Sequence, residues 1–268
     1  MARLSINELT TFRWTFEEDV DSYLGAEIPG IGVWRRKVAD FGEEKACELL
    51  AHRGLKVSNL LWAGGFTGSD GRSFRDSVDD ALDAVRLAAA MQAECLVVYS
   101  GARAGHTHNH ARRLLREALK ELLPAAEAEQ VTLAVEPVHR GCASDFSFLT
   151  GLDDGLELLR QFNHPRLKLV FDTYHLGFDE SVVSRVASIV SDIAVVHLGD
   201  GKMPPTGDQN RCRLGEGQVP LRQLVGALRQ AGYDGWFDIE LIGEDVESAD
   251  YHELVLHSRD AFTRLLGC

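Results

Sequence analysis

Short apolar runs alternate with longer amphipathic stretches from one end of the chain to the other. The runs are Leu4–Asn7, Gly30–Trp34, Val57–Trp62, Cys95–Tyr99, Val131–Glu136, Leu167–Asp172, Ile193–His197 and Trp236–Glu240. Each has the length of a strand rather than of a helix. Between them the spacing changes. Val78, Ala81, Leu82, Val85, Ala88 and Ala89 fall at i, i+3, i+4, i+7, i+10 and i+11, which predicts a helix over 77–92 with one apolar face. Thr15 with Glu18, and Asp40 with Glu43, read as helix N-caps followed by an acid at the third helical position. Strands that alternate with helices form a parallel sheet, and eight strands are enough to close it into a barrel. The expected fold class is therefore α/β, a single (β/α)8 barrel forming one domain over residues 1–268. The one long irregular stretch is Gly199–Val219, with Pro204, Pro205 and several glycines. A loop of that length inside a compact domain is usually functional.

Four of the last runs end in an ionisable residue: Glu136, Asp172, His197 and Glu240. Side chains alternate between the two faces of a strand, so parity predicts their direction. Glu136 shares its face with Thr132 and Ala134, while Val131, Leu133 and Val135 form the bulkier apolar face that helices would cover. His197 goes with Ile193 and Val195, and Glu240 with Asp238. All four side chains can point inward together at the C-terminal rim, where barrels of this kind carry their chemistry. Two Glu, one Asp and one His make a mostly hard-oxygen set. It favours Mn2+ or Mg2+ and admits Co2+, Fe2+ or Zn2+. An octahedral ion held by four protein ligands keeps two positions for adjacent oxygens of a polyol or hydroxyketone. As a Lewis acid it would stabilise the enediolate formed by loss of the neighbouring proton, with a carboxylate on each side of that carbon as base and acid.

Other rim residues follow from the same register. Trp14, Trp34 and Trp62 come at or just after the first three strands and, with Phe66, could wall the carbon skeleton of a substrate. His106 and His108 follow the fourth strand as candidate substrate contacts. With His110 they look like a metal tract, but alternate residues at a helix start do not share a face. Arg103, His139 and Arg140 add local positive charge.

Composition narrows the partners. The 268 residues are 45% hydrophobic and 26% charged, with a formal charge of −13. That balance fits a soluble globular chain and counts against duplex binding, which calls for a basic surface. No stretch approaches the length of a bilayer span, and the start, MARLSINELT, has no signal-like apolar segment. The expected location is the cytoplasm, with neither nucleic acid nor membrane as partner. Five widely spaced cysteines without a CxxC pair read as free thiols.

The segments AVEPVHR, FDTYHLG, VVHLGD, RLGEG and FDIELIG carry a family resemblance. The chain resembles the sugar phosphate isomerase/epimerase superfamily with its xylose-isomerase-like TIM barrel, and is similar to the ketose 3-epimerases and inosose dehydratases. The resemblance implies that Glu136, Asp172, His197 and Glu240 hold one divalent metal, and that Glu136 and Glu240 also exchange protons with the substrate from opposite faces. It implies a substrate oxygen on His175. It implies another on an arginine just before the Gly-x-Gly turn, which selects Arg213, with Arg211 as its competitor. The sixth position after Glu136, a glutamate in the epimerases, is Cys142 here, and Asp145 lies nearby. The expected activity is isomerisation or epimerisation of a small sugar or sugar derivative. A dehydratase or lyase would share the first half-reaction. A non-catalytic sugar binder is a third reading. An endonuclease IV-like nuclease would need an Asp-x-His motif that the 199–219 loop lacks. A homo-oligomer is left open.

Overall fold

The computed structural model describes residues 2–143, 146–207 and 209–267. Its strands are β1 (Arg3–Asn7), β2 (Gly30–Trp34), β3 (Lys56–Gly64), β4 (Cys95–Tyr99), β5 (Thr132–Val135), β6 (Leu167–Asp172), β7 (Ile193–Leu198) and β8 (Trp236–Ile239). Every neighbouring pair is parallel, and β1 pairs with β8 to close the barrel. Helices fill the connections: α1 (Phe16–Gly25), α2 (Arg35–Phe41), α3 (Glu43–Arg53), α4 (Phe74–Ala90), α5 (His108–Ala128) and α6 (Leu152–Phe162). They continue with α7 (Thr173–Leu176), α8 (Val182–Ile189), α9 (Leu221–Gln230), α10 (Glu244–Glu247) and α11 (Tyr251–Leu265). Among the described residues no helix is long and apolar enough to cross a membrane.

The period-two pattern sorts the apolar residues into two cores. Leu133, Val135, Phe171, Val196 and Phe237 point outward into the large core under the helices. Leu61, Cys95, Val97, Ala134, Val170, Val195 and Trp236 fill the barrel itself. Ala134 and Val195 thus face inward on the strands that lead to Glu136 and His197. The interior is not uniformly apolar. Asp238 projects from β8 into the space beside Gly32, where a Cβ would lie 2.3 Å from a carboxylate oxygen. Only glycine at that point of β2 leaves room for the carboxylate.

Local capping follows the sequence in one case and departs from it in another. Thr15 and Glu18 close a capping box at the start of α1. Asp40, by contrast, lies in the last turn of α2 and caps nothing. Gly42 takes a φ of 106° there, which breaks the chain between α2 and α3 and makes Glu43 the first residue of the next helix. α4 begins three residues before the expected start, at Phe74, because Ser73 and Asp76 form their own capping box. Cys47, Cys95 and Cys212 are unpaired thiols, and Cys268 lies outside the described residues.

A buried polar cluster ties the end of β1 to α1 and α2. Glu8 accepts a 2.6 Å hydrogen bond from the Trp34 backbone N–H. Asp19 accepts from the Thr11 hydroxyl at 2.6 Å and pairs with Lys37, whose ammonium also donates to the Thr11 carbonyl at 3.0 Å. Burial first, and the adjacent Asp19 second, push the Glu8 carboxyl well above its ordinary range, so it keeps its proton. A carboxyl held neutral in the fold stabilises it fully only below the pKa of the unfolded chain, and this contribution drains away as pH rises. Glu8→Gln keeps the size and the acceptor but cannot ionise. Its melting temperature should rise relative to the wild type between about pH 5 and about pH 9. A difference that stays constant over that range would show Glu8 to be ionised in the folded protein.

Candidate metal centre

The second half of the barrel delivers the four strand-end groups to one point. Glu136 follows β5 directly, and its N–H donates to the Val98 carbonyl at 3.3 Å. Asp172 closes β6 and caps α7, accepting from the N–H groups of Tyr174 at 2.7 Å and His175 at 3.0 Å through Oδ1. This fixes the carboxylate and leaves Oδ2 for the site. His197 sits opposite Asp172 in the β6–β7 register. Glu240 follows β8, with its N–H on the Leu198 carbonyl at 3.2 Å. All four side chains are buried.

Donor atoms of Glu136, Asp172 and His197 lie within 4.8 Å of one another. Glu240 joins them through an oxygen 2.7 Å from His197 Nδ1, while a Glu136 oxygen lies 3.7 Å from the same nitrogen. Arg211 enters from the 199–219 loop. Its guanidinium is 3.0 Å from Asp172 Oδ2 and 3.1 Å from Glu240 Oε1, and it donates to the Glu240 carbonyl at 3.1 Å. The backbone N–H of Arg211 donates to the Ile242 carbonyl at 2.8 Å, which docks the loop beside the end of β8. Gly199 provides the space, since a Cβ there would lie 2.7 Å from the guanidinium.

The charges are tuned against one another. Burial opposes the charge on His197, but Glu240 and Glu136 outweigh it and push the imidazole well above its ordinary range. Burial would raise Asp172, yet Arg211, then His175 and His197, bring it to about 2. Burial lifts Glu136 above its ordinary value despite His197. Glu240 goes the other way: Arg211 and His197 overcome its burial and lower it. Burial and neighbouring charge thus act in opposite directions on two carboxyls of one site.

The donors fit a hard divalent cation. Both oxygens of Glu136, Oδ2 of Asp172, Nδ1 of His197 and Oε2 of Glu240 are buried without a hydrogen-bond partner in the protein. Their near neighbours are charged: Asp172 Oδ2 faces Arg211, and His197 Nδ1 faces Glu240 and Glu136. The same carboxylates would hold the ion that Arg211 and the protonated His197 replace electrostatically when it is absent. Arg211→Met leaves Asp172 and Glu240 without their buried counter-cation. We expect chemical denaturation of the metal-free protein to show a loss of about 3–5 kcal/mol. A loss below about 1 kcal/mol, the range of exposed pairs, would contradict the burial of this network.

The remaining candidates distribute unevenly. His175 is buried beside the centre on α7, its Nδ1 without a hydrogen-bond partner, and burial pushes it down to about 4, so it is neutral. Arg213, the first choice from sequence, is half-exposed and makes no ion pair or side-chain hydrogen bond among the described residues. The bridge between Asp200 and Cys212 turns the loop so that Arg211, not Arg213, faces the carboxylates. Trp34 and Trp62 face each other at the rim, with ring centres 6.4 Å apart and an angle of 24°. Trp14 stands apart from that pair, packing on Tyr251 and His252 at the start of α11. It shares with Trp34 only a cleft of about 450 Å³ that Phe12 and Arg36 also line. Phe66 is buried in the outer core and does not belong to the wall. His106 lies 3.1 Å from the Thr67 carbonyl and stacks on His110, so it ties two loops together. His108 is exposed beside Arg103 and Phe148. Neither has a hydrogen bond or ion pair to the four strand-end groups. Asp145 lies outside the described residues.

Sequence reasoning passed over Tyr99. Its ring packs edge-on against Trp62, with centres 5.8 Å apart. Burial and then the charges of Glu136 and Glu240 hold its phenol well above the ordinary range, so its hydroxyl stays protonated beside them. Parity contained the signal: Cys95 and Val97 face the interior, and Tyr99 is the next residue in that series.

A closed parallel barrel with inward acids and an imidazole at its C-terminal rim defines a class of protein, and the comparisons agree. The chain belongs to the family described as Xylose isomerase-like TIM barrel, which matches residues 23–264. It is 30% identical over 141 residues to L-ribulose-5-phosphate 3-epimerase UlaE of Escherichia coli O1:K1 / APEC. That match takes in 52% of this chain and 46% of the epimerase, so the chain spans about half the length of the curated relative. The crystal structure of protein SMc04130 from Sinorhizobium meliloti 1021 superposes with a TM-score of 0.90 at 28% identity over 98% of each chain. A structure of the IOLI protein with a bound zinc atom superposes with a TM-score of 0.85 over 99% of this chain and 98% of that one. At 17% identity it shows a shared fold.

Proposed function

We propose that the protein is a divalent-metal-dependent isomerase or epimerase of a small sugar or sugar derivative, with residues 1–268 acting as one domain. The observation that carries this reading is the convergence of buried donor atoms from Glu136, Asp172 and His197, with Glu240 set against His197. Family membership and the partial match to a ribulose-phosphate epimerase support the choice of substrate class.

Those four residues would hold the cation, with Mn2+ or Mg2+ preferred for the oxygen-rich set. When bound, it supplies a Lewis acid for the carbonyl and its neighbouring oxygen. Glu240, set beside the Arg211 guanidinium at 3.1 Å, removes the proton beside the carbonyl. The electron pair left on carbon moves into the carbonyl and gives an enediolate. Glu136, carrying a proton, returns it from the opposite face. Return to the same carbon yields an epimer, and return to the adjacent carbon yields the aldose–ketose isomer. Arg211 and the neutral His175 offer donors to substrate oxygens. Trp34, Trp62 and Tyr99 shield the carbon skeleton from water on the opposite side of the rim.

Two measurements test this. Incubation with candidate ketoses and Mn2+ in deuterated water should label the carbon next to the carbonyl, and Glu240→Gln should slow labelling by about 10²–10⁴-fold. Absence of label from every candidate, with metal binding intact, would sink the proton-transfer reading. A product lighter by one water would assign a lyase instead. Separately, Mn2+ at about 100 times its dissociation constant should stabilise the wild type by about 2.7 kcal/mol in denaturant titrations. Glu136→Gln should need more Mn2+ for the same effect, and no stabilisation of the wild type by any divalent ion would exclude the metal.

A further inference from the structure

We infer that Asp238 is a positioning residue for this centre: its carboxylate takes the Nε2 edge of His197 and thereby reserves Nδ1 for the cation. The inference rests on the metal reading above.

β8 lines the interior with Trp236, Asp238 and then Glu240, and the β7–β8 register sets Asp238 directly against His197. The two imidazole nitrogens therefore meet different surroundings. Nδ1 looks up to the centre, 2.7 Å from Glu240 and 3.7 Å from Glu136. Nε2 looks down, 3.9 Å from Asp238 Oδ2 and without a hydrogen-bond partner, so the carboxylate acts on it through its charge.

The carboxylate is built in place. Oδ1 accepts from the Ser5 hydroxyl at 2.6 Å, with Ser58 at 3.4 Å. Oδ2 accepts from the amides of Asn7 and Asn59, both at 2.8 Å. All five side chains in this layer are fully buried. Asp238 has no Lys or Arg partner among the described residues, and its one ion pair is with His197. Burying a carboxylate is costly, and hydrogen bonding alone could be met by a neutral amide. What an amide does not supply is a charge that discriminates between the two forms of the imidazole. A neutral histidine has one N–H and one lone pair, and the partner of one nitrogen decides which is which. With the hydrogen on Nε2, it faces Asp238 and the Nδ1 lone pair faces the cation. With the hydrogen on Nδ1, a lone pair would face a carboxylate and the metal would meet N–H.

The test uses Zn2+, which is diamagnetic, on the intact protein. Calorimetry should show Asp238→Asn binding Zn2+ about 10–100-fold more weakly than the wild type. Ser5→Ala removes a donor from Oδ1, the oxygen away from His197, and serves as a packing control. It should lower stability while keeping Zn2+ affinity within about twofold, well inside the effect expected of the carboxylate. Long-range proton–nitrogen spectra of Zn2+-loaded wild type should show His197 protonated at Nε2, a readout that survives even if Asp238→Asn does not fold. Zn2+ affinity unchanged in folded Asp238→Asn, or an Nδ1–H on His197, would overturn the assignment. Failure of the wild type to bind Zn2+, Mn2+ or Mg2+ would instead overturn the metal reading itself.

Discussion

Three carboxylates, an imidazole and a guanidinium share a space from which water is largely excluded. In such a place charges must be matched by charges, because solvent cannot screen them. Much of the local architecture serves that balance. Arg211 answers Asp172 and Glu240 at 3.0 and 3.1 Å. The 199–219 loop is organised to present it. Asp200 accepts from the N–H groups of Gly201, Gly215, Gly217 and Val219, which gathers both ends of the loop around one carboxylate. These bonds tie the two ends of the loop together, and the Arg211 N–H on the Ile242 carbonyl docks the guanidinium beside the carboxylates.

The rim is divided by chemistry. Strands β5 to β8 supply the acids and the imidazole, while β2 to β4 supply Trp34, Trp62 and Tyr99. Under the proposed function the two halves divide the work: one polarises substrate oxygens and the other excludes water from the carbon being deprotonated. Glu8 links this second half to the fold, since its carboxyl holds the backbone of Trp34.

The barrel and the inward direction of the four strand-end groups were legible in the sequence because both depend on a period of two, which hydrophobic alternation records directly. Helix starts were less legible. Asp40 and Glu43 have the spacing of a cap, but nothing in that spacing announces the turn that Gly42 imposes. The choice between Arg211 and Arg213 depended on loop geometry, namely the Asp200–Cys212 bridge, which no local periodicity encodes. Trp14 and Phe66 were misplaced for a related reason: a residue beyond a strand end no longer obeys strand parity. Tyr99 and Asp238 did obey it. Tyr99 was passed over, and Asp238 was placed on the inward face without a partner, because a tyrosine at the end of an apolar run and an acid within one resemble ordinary packing until their neighbours are known.

Gly32 and Asp238 occupy what is nearly a single volume, divided between two strands. A larger residue on β2 would fill the barrel and add apolar contact, as a stability-driven redesign would favour. It would also expel the carboxylate beneath His197. The space left by one hydrogen atom in place of a side chain is therefore where this barrel forgoes apolar packing to hold a charge beneath His197, and positions 32 and 238 should be treated as one unit in any attempt to evolve or stabilise it.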